Sequence, residues 1–120
     1  MAAKILTNCT HGNEDPERAI LSFVVGNVAA TADQEAVVLL TIDGAWLATK
    51  NYADDIQKEG FQPLKEVMQS FVANGGRIWV CGACAKPRGI TAADLVDGAT
   101  IVTAANVVEY MASNAATLNF

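Results

Sequence analysis

The chain has 120 residues, 52% of them hydrophobic and 18% charged, which is one domain of ordinary size (1–120) and too apolar to remain disordered. Eight Lys and Arg stand against 13 Asp and Glu, a formal net charge of −5, and this argues against nonspecific nucleic-acid binding, which needs a basic face. No apolar run reaches the roughly 18 residues of a membrane span, and the first eight residues turn polar too soon for a secretion signal, so a cytoplasmic protein with no membrane partner is expected.

Ile5 and Leu6 mark a short buried strand over Lys4–Cys9, and the turn formers Thr10, His11, Gly12 and Asn13 follow. Asp15 suits an N-cap, Pro16 the first helical position, and Glu17 complements the dipole. A helix is predicted from there to about Thr31, with Ile20, Phe23, Val24 and Val28 on its buried face. Gly26 inside it costs about 1 kcal/mol against alanine and marks close packing. Residues 35–42 are a continuous apolar run, as in a central parallel strand covered on both faces. They stop at the turn signal Asp43-Gly44. A short helix is expected over 45–50, then a loop or weak helix over 51–61.

Pro63 opens the next helix. Leu64, Val67, Met68, Phe71 and Val72 recur at helical spacing, and Asn74-Gly75-Gly76 ends the stripe. Arg77–Cys81 reads as the third strand, 82–89 as a loop or single helical turn, and 92–97 as another turn. Ala99–Val102 reads as the fourth strand, 104–115 as the last helix and 117–120 as a fifth strand. The alternation, with crossovers long enough for right-handed connections, predicts an α/β fold. It is a three-layer α/β/α sandwich with a mostly parallel sheet of about five strands. Such folds place sites at the carboxyl ends of strands, which nominates residues 9–13, 43–46 and 81–88.

The chain has three cysteines, an odd number that reads as reactive or packed thiols and not as a disulfide framework. Cys81-Gly82-Ala83-Cys84 lies where the third strand ends. No acidic residue occurs between Glu66 and Asp94, whereas Arg77, Lys86 and Arg88 do. Nearby cations and open N–H groups favour the nucleophilic thiolate and can hold an anionic sulfur species. The plainer reading is that cysteine is a small apolar residue and the basic side chains are solvated. A thioredoxin layout is disfavoured, because its C-x-x-C motif comes early in the domain and here only residues 85–120 follow.

His11 is the only histidine, the residue type suited to proton transfer near neutral pH. It joins Cys81 and Cys84 as a candidate catalytic residue. Lys86, Arg88, Asn13 and Asp43 are candidate ligand-binding residues at the three strand ends. Cys9, His11, Cys81 and Cys84 would make a Cys3His set, but Cys9-x-His11 is tighter than structural zinc spacing, so no metal is expected. Cys9 itself reads as buried. No phosphate loop, G-x-G-x-x-G or G-x-S-x-G occurs, and no cofactor is expected. Trp46, Tyr52 and Phe61 fall in the least regular segment; isolated aromatics are usually local packing, but three near one loop also fit a subunit interface of a homo-oligomer.

The run Gly12-Asn13-Glu14-Asp15-Pro16-Glu17-Arg18-Ala19 resembles the first strand-to-helix turn of DsrE/DsrF-like proteins. Val80-Cys81-Gly82-Ala83-Cys84-Ala85-Lys86-Pro87-Arg88-Gly89-Ile90 is similar to that family's cysteine segment, in its C-G-x-C subgroup. Asp94-Leu95, Gly98-Ala99 and Ile101-Val102 fit as well. The resemblance implies an α/β/α sandwich that forms oligomers, often trimers or hexamers. It implies a sulfur-relay protein carrying persulfide sulfur on Cys81, with the Arg88-Gly89 pair behind it and Cys84 sharing or resolving the sulfur. Sulfur donor and acceptor proteins would be its partners. The alternatives are a non-catalytic oligomeric module that binds a small anionic ligand, a thiol redox protein, and a structural oligomer without chemistry. A peroxiredoxin reading is disfavoured because P-x-x-x-T-x-x-C is absent before Cys81.

Overall fold

The computed structural model describes residues 2–120. Asp15 caps the first helix, α1 (Pro16–Thr31), by accepting the Arg18 N–H at 3.1 Å. That bond and the Arg18 guanidinium hold the Asp15 carboxyl below the usual carboxylate range. α1 buries Ala19, Ile20, Ser22, Phe23, Gly26 and Ala30. Val28, expected on that face, is 63% exposed. It lies nine residues after Ala19, which at about 100° per residue is the opposite side of the helix. Gly26 does mark close packing: a Cβ there would sit 2.9 Å from Val38 and 3.2 Å from the Phe71 ring.

The strands are β1 (Lys4–Cys9), β2 (Glu35–Leu40), β3 (Arg77–Cys81), β4 (Ala99–Val102) and β5 (Ala116–Asn119). They form one sheet in the order β4-β3-β2-β1-β5, with every pairing parallel. The five-stranded α/β sheet is as the sequence predicts. α1 and α2 (Leu64–Ala73) cover one face, where Phe23 meets Phe71 edge-on with centroids 5.8 Å apart. On the other face α4 (Ala104–Ala112), which follows the short α3 (Gly82–Ala85), seats Tyr110 against Leu6, Val37, Leu39 and Val102. The Tyr110 hydroxyl donates to the Glu35 carbonyl at 3.0 Å.

Several boundaries shift. β2 ends at Leu40, not at residue 42, because the Thr41 hydroxyl turns aside to donate to Asn8 Oδ1 at 2.9 Å and Ile42 takes φ 54°. Asp43 and Gly44 accordingly lie inside a 3-10 helix, Ile42–Ala48. A second 3-10 turn, Tyr52–Asp55, occupies the segment expected to be loop or weak helix. α4 stops at Ala112, short of residue 115, and β5 begins at Ala116. Trp46, Tyr52 and Phe61 pack against the main core, with Trp46 stacked on Tyr52 at 6.2 Å. The large apolar side chains left exposed are instead Val28, Ile42, Val108, Met111 and Leu118. Among the described residues no helix is long and apolar enough to cross a membrane.

Candidate functional site at the strand ends

β3 delivers Cys81 to its carboxyl end, where Cys81 becomes the N-cap of α3 and Cys84 the third residue of that helix. Gly82 permits the turn: a Cβ there would approach the Val102 carbonyl oxygen to 3.0 Å. A 3-10 turn, Lys86–Arg88, continues from α3 and is closed by Gly89 in the left-handed region at φ 69°. Cys81 and Cys84 are half-buried free thiols.

The Ile42 N–H donates to Cys84 Sγ at 3.1 Å. This donor comes from the end of β2, not from the cysteine loop. Its direction is set by the left-handed conformation of Ile42, a costly choice for a β-branched residue. Arg88 ties the same two segments together. Its Nη2 meets Asp43 Oδ1 at 2.9 Å and its Nη1 donates to the Cys84 carbonyl at 3.1 Å. Burial pushes the Cys84 thiol up, and the neighbouring Cys81 adds to this, while the Ile42 N–H and the Arg88 charge act the other way. The Cys84 thiol therefore holds its proton at neutral pH.

The structure thus brings together Cys81, Cys84, Arg88 and Asp43. Lys86, from the same turn, is exposed. His11 and Asn13 stand at the end of β1. His11 Nδ1 lies 2.7 Å from Glu14 Oε2, and Glu14 also accepts the Gly12 N–H. The Asn13 N–H donates to the Tyr52 hydroxyl at 3.0 Å. Among the described residues no hydrogen bond joins His11 to Cys81 or Cys84. The β1 and β2 ends are pressed together through glycine: a Cβ on Gly12 would meet the Asp43 carbonyl at 2.9 Å, and one on Gly44 would overlap the Cys9 carbonyl.

Cys9 is fully buried, with its thiol directed at the His11 carbonyl at 3.3 Å. Parallel register pairs Cys9 with Leu40 and Leu40 with Val80, so Cys81, the next residue, projects from the opposite face of the sheet. A Cys3His zinc set is not assembled. Burial also pushes the Cys9 thiol up. We expect timed alkylation at neutral pH to label Cys9 last, and labelling of Cys84 to accelerate as pH rises and its thiol ionises. Peptide mapping reads this directly, and early labelling of Cys9 would refute the assignment.

Two contributors escaped the sequence. Ile42 acts through its backbone, and a β-branched residue gives no signal for a left-handed conformation. The hydroxyl of Tyr52 reaches the β1 turn across 39 residues of chain, and only the small Gly12 and Gly44 hint at so close an approach.

Among curated proteins, the chain is similar to an uncharacterized protein of Methanocaldococcus jannaschii, 29% identical over 102 residues, 85% of this chain and 37% of that protein. It is also similar to an uncharacterized protein of Methanopyrus kandleri, 24% identical over 95 residues, 79% of this chain and 75% of that protein. The chain therefore spans little more than a third of the first relative's length and three quarters of the second's. The crystal structure of the ychN protein from E. coli shares the fold with a TM-score of 0.74 at 17% identity, covering 100% of both chains. A protein of unknown function from Methanobacterium thermoautotrophicum matches with a TM-score of 0.74 at 15% identity, covering 98% of this chain and 99% of that one. The model of the DsrE/DsrF-like family matches residues 3–120, nearly the whole chain, and the chain belongs to that family.

Proposed function

We propose that the chain carries sulfane sulfur as a persulfide on Cys81. The observation that supports this most is the pair of half-buried thiols at the end of β3, with the Ile42 N–H on the Cys84 sulfur and Arg88 fixed alongside. The family is associated with sulfur relay, which agrees with that chemistry. The carrier role falls to Cys81 in this reading because burial keeps the proton on Cys84 and the thiolate is the attacking form. Arg88, whose charge reaches the Cys84 thiol, and the exposed Lys86 of the same turn are the cations this reading offers to a bound persulfide anion. A reducing compartment such as the cytoplasm suits three free thiols. The test is mass spectrometry of the protein with and without a low-molecular-weight persulfide donor. A gain of one sulfur atom, mapped to Cys81, is expected. Absence of any gain would favour a module that binds a small anion at the strand ends.

The exposed Val108, Met111 and Leu118 further support assembly into a homo-oligomer, the trimer or hexamer that the family resemblance implies. Light scattering at micromolar concentration should give a multiple of the 12.6 kDa chain mass, and a value near 12.6 kDa itself would overturn this.

A further inference from the structure

We propose that Cys84 discharges the sulfur held on Cys81 as free sulfide, closing a Cys81–Cys84 disulfide that a dithiol reductant must then reopen. This rests on the persulfide reading above and assigns the site a product and a co-substrate class. The geometry that carries it is the placement of the two cysteines on α3. Cys81 is the N-cap and Cys84 the third helical residue. An N-cap and its N3 residue lie on the same side of the first helical turn, near enough that in a capping box each side chain reaches the other's backbone N–H. Here Cys81 lies close enough to the Cys84 thiol to help push it up.

The surroundings hold Cys84 in that position. Its sulfur accepts the Ile42 N–H, and its carbonyl accepts Arg88 Nη1, while Arg88 is itself anchored on Asp43. The turn that bears Cys84 is thereby pinned to the end of β2. Neither cysteine is fully buried, which leaves a small leaving group an exit.

The step balances. Cys81 carries an outer sulfur as Cys81–S–S⁻, received from a low-molecular-weight persulfide that leaves as its thiolate. The Cys84 sulfur attacks the inner sulfur, Cys81 Sγ. The Sγ–Sγ bond forms and the bond from Cys81 Sγ to the outer sulfur breaks. Cys84 is oxidised from thiol to disulfide, and the outer sulfur is reduced to sulfide. The Cys84 proton leaves on the hydrosulfide ion. A dithiol then reduces the Cys81–Cys84 bond by two successive exchanges and is itself oxidised to a disulfide. The Cys84 thiol must give up its proton to attack, so discharge is expected to quicken as pH rises. The site thereby has two outlets: transfer of the outer sulfur to an acceptor, or its release as sulfide.

The test uses the wild-type chain, Cys84→Ser and Cys84→Ala, loaded with glutathione persulfide and freed of excess donor without reductant. Wild type is expected to release one equivalent of sulfide per chain, lose the added sulfur, and end two hydrogens lighter with Cys81 linked to Cys84. Dithiothreitol should restore both thiols and allow a second round. Both Cys84 variants should keep the added sulfur on Cys81 and release no sulfide. Wild type that keeps its added sulfur with Cys84 free, or Cys84 variants that release sulfide as fast as wild type, would overturn the discharge step and leave the persulfide reading intact. Failure of wild type and both variants to gain sulfur would overturn both.

Discussion

Cys81→Ser is expected to lose sulfur loading altogether. Serine is nearly isosteric with cysteine, so the N-cap position of α3 survives and the folded state is preserved. The hydroxyl, however, provides no thiolate at neutral pH; of the two thiols left, Cys9 is fully buried and Cys84 keeps its proton. Arg88→Ala should weaken loading less, since it removes a charge and an anchor on Asp43 but leaves the nucleophile. Mass spectrometry after exposure to a persulfide donor measures both. A Cys81→Ser chain that still gains sulfur, on Cys84, would move the carrier role to that residue.

Phe71→Ala should cost about 3–5 kcal/mol, the usual range for deleting a buried aromatic ring. Phe71 is fully buried and meets Phe23 edge-on. Its ring also fills the space over Gly26 and Gly76, where neither position has room for a Cβ. α1, α2 and the start of β3 thus converge on one ring, and its removal leaves a cavity that two glycines cannot fill. Against a total stability of about 5–15 kcal/mol, the loss should be plain in a urea titration as a lower midpoint at unchanged slope. A change below about 1 kcal/mol would contradict the packing described.

The architecture was legible because its signals are local and repeated. The apolar run of β2, the helical stripe of α2 and the Asp15-Pro16 start of α1 each encode burial on a known period. The place of the cysteine segment at a strand end followed from the same reasoning. Val28 is exposed although apolar, because hydrophobicity alone says nothing about which side of α1 meets the sheet. For Trp46, Tyr52 and Phe61 the irregular segment offers no period, so the sequence alone does not separate local packing, which the structure shows, from a subunit interface. The contacts that define the site are less legible still. The Arg88–Asp43 ion pair and the Ile42 donor join residues more than forty positions apart, and they depend on a backbone conformation that isoleucine does not advertise.

The parallel sheet also governs which oxidation products the molecule can form. Three cysteines allow three different single bridges. Cys9 projects into the packed layer beneath α1 and α2, and Cys81 projects from the other side of the same sheet, so a bond between them would have to pass through a β-layer. The Cys9 thiol is sealed from solvent and already directed at the His11 carbonyl. What remains is the local pair on α3. Oxidants in solution therefore meet a molecule with one ready outcome and little scope for scrambled isomers. Cys9 can be exchanged for alanine when a variant with only the reactive pair is wanted, at the cost of a small cavity.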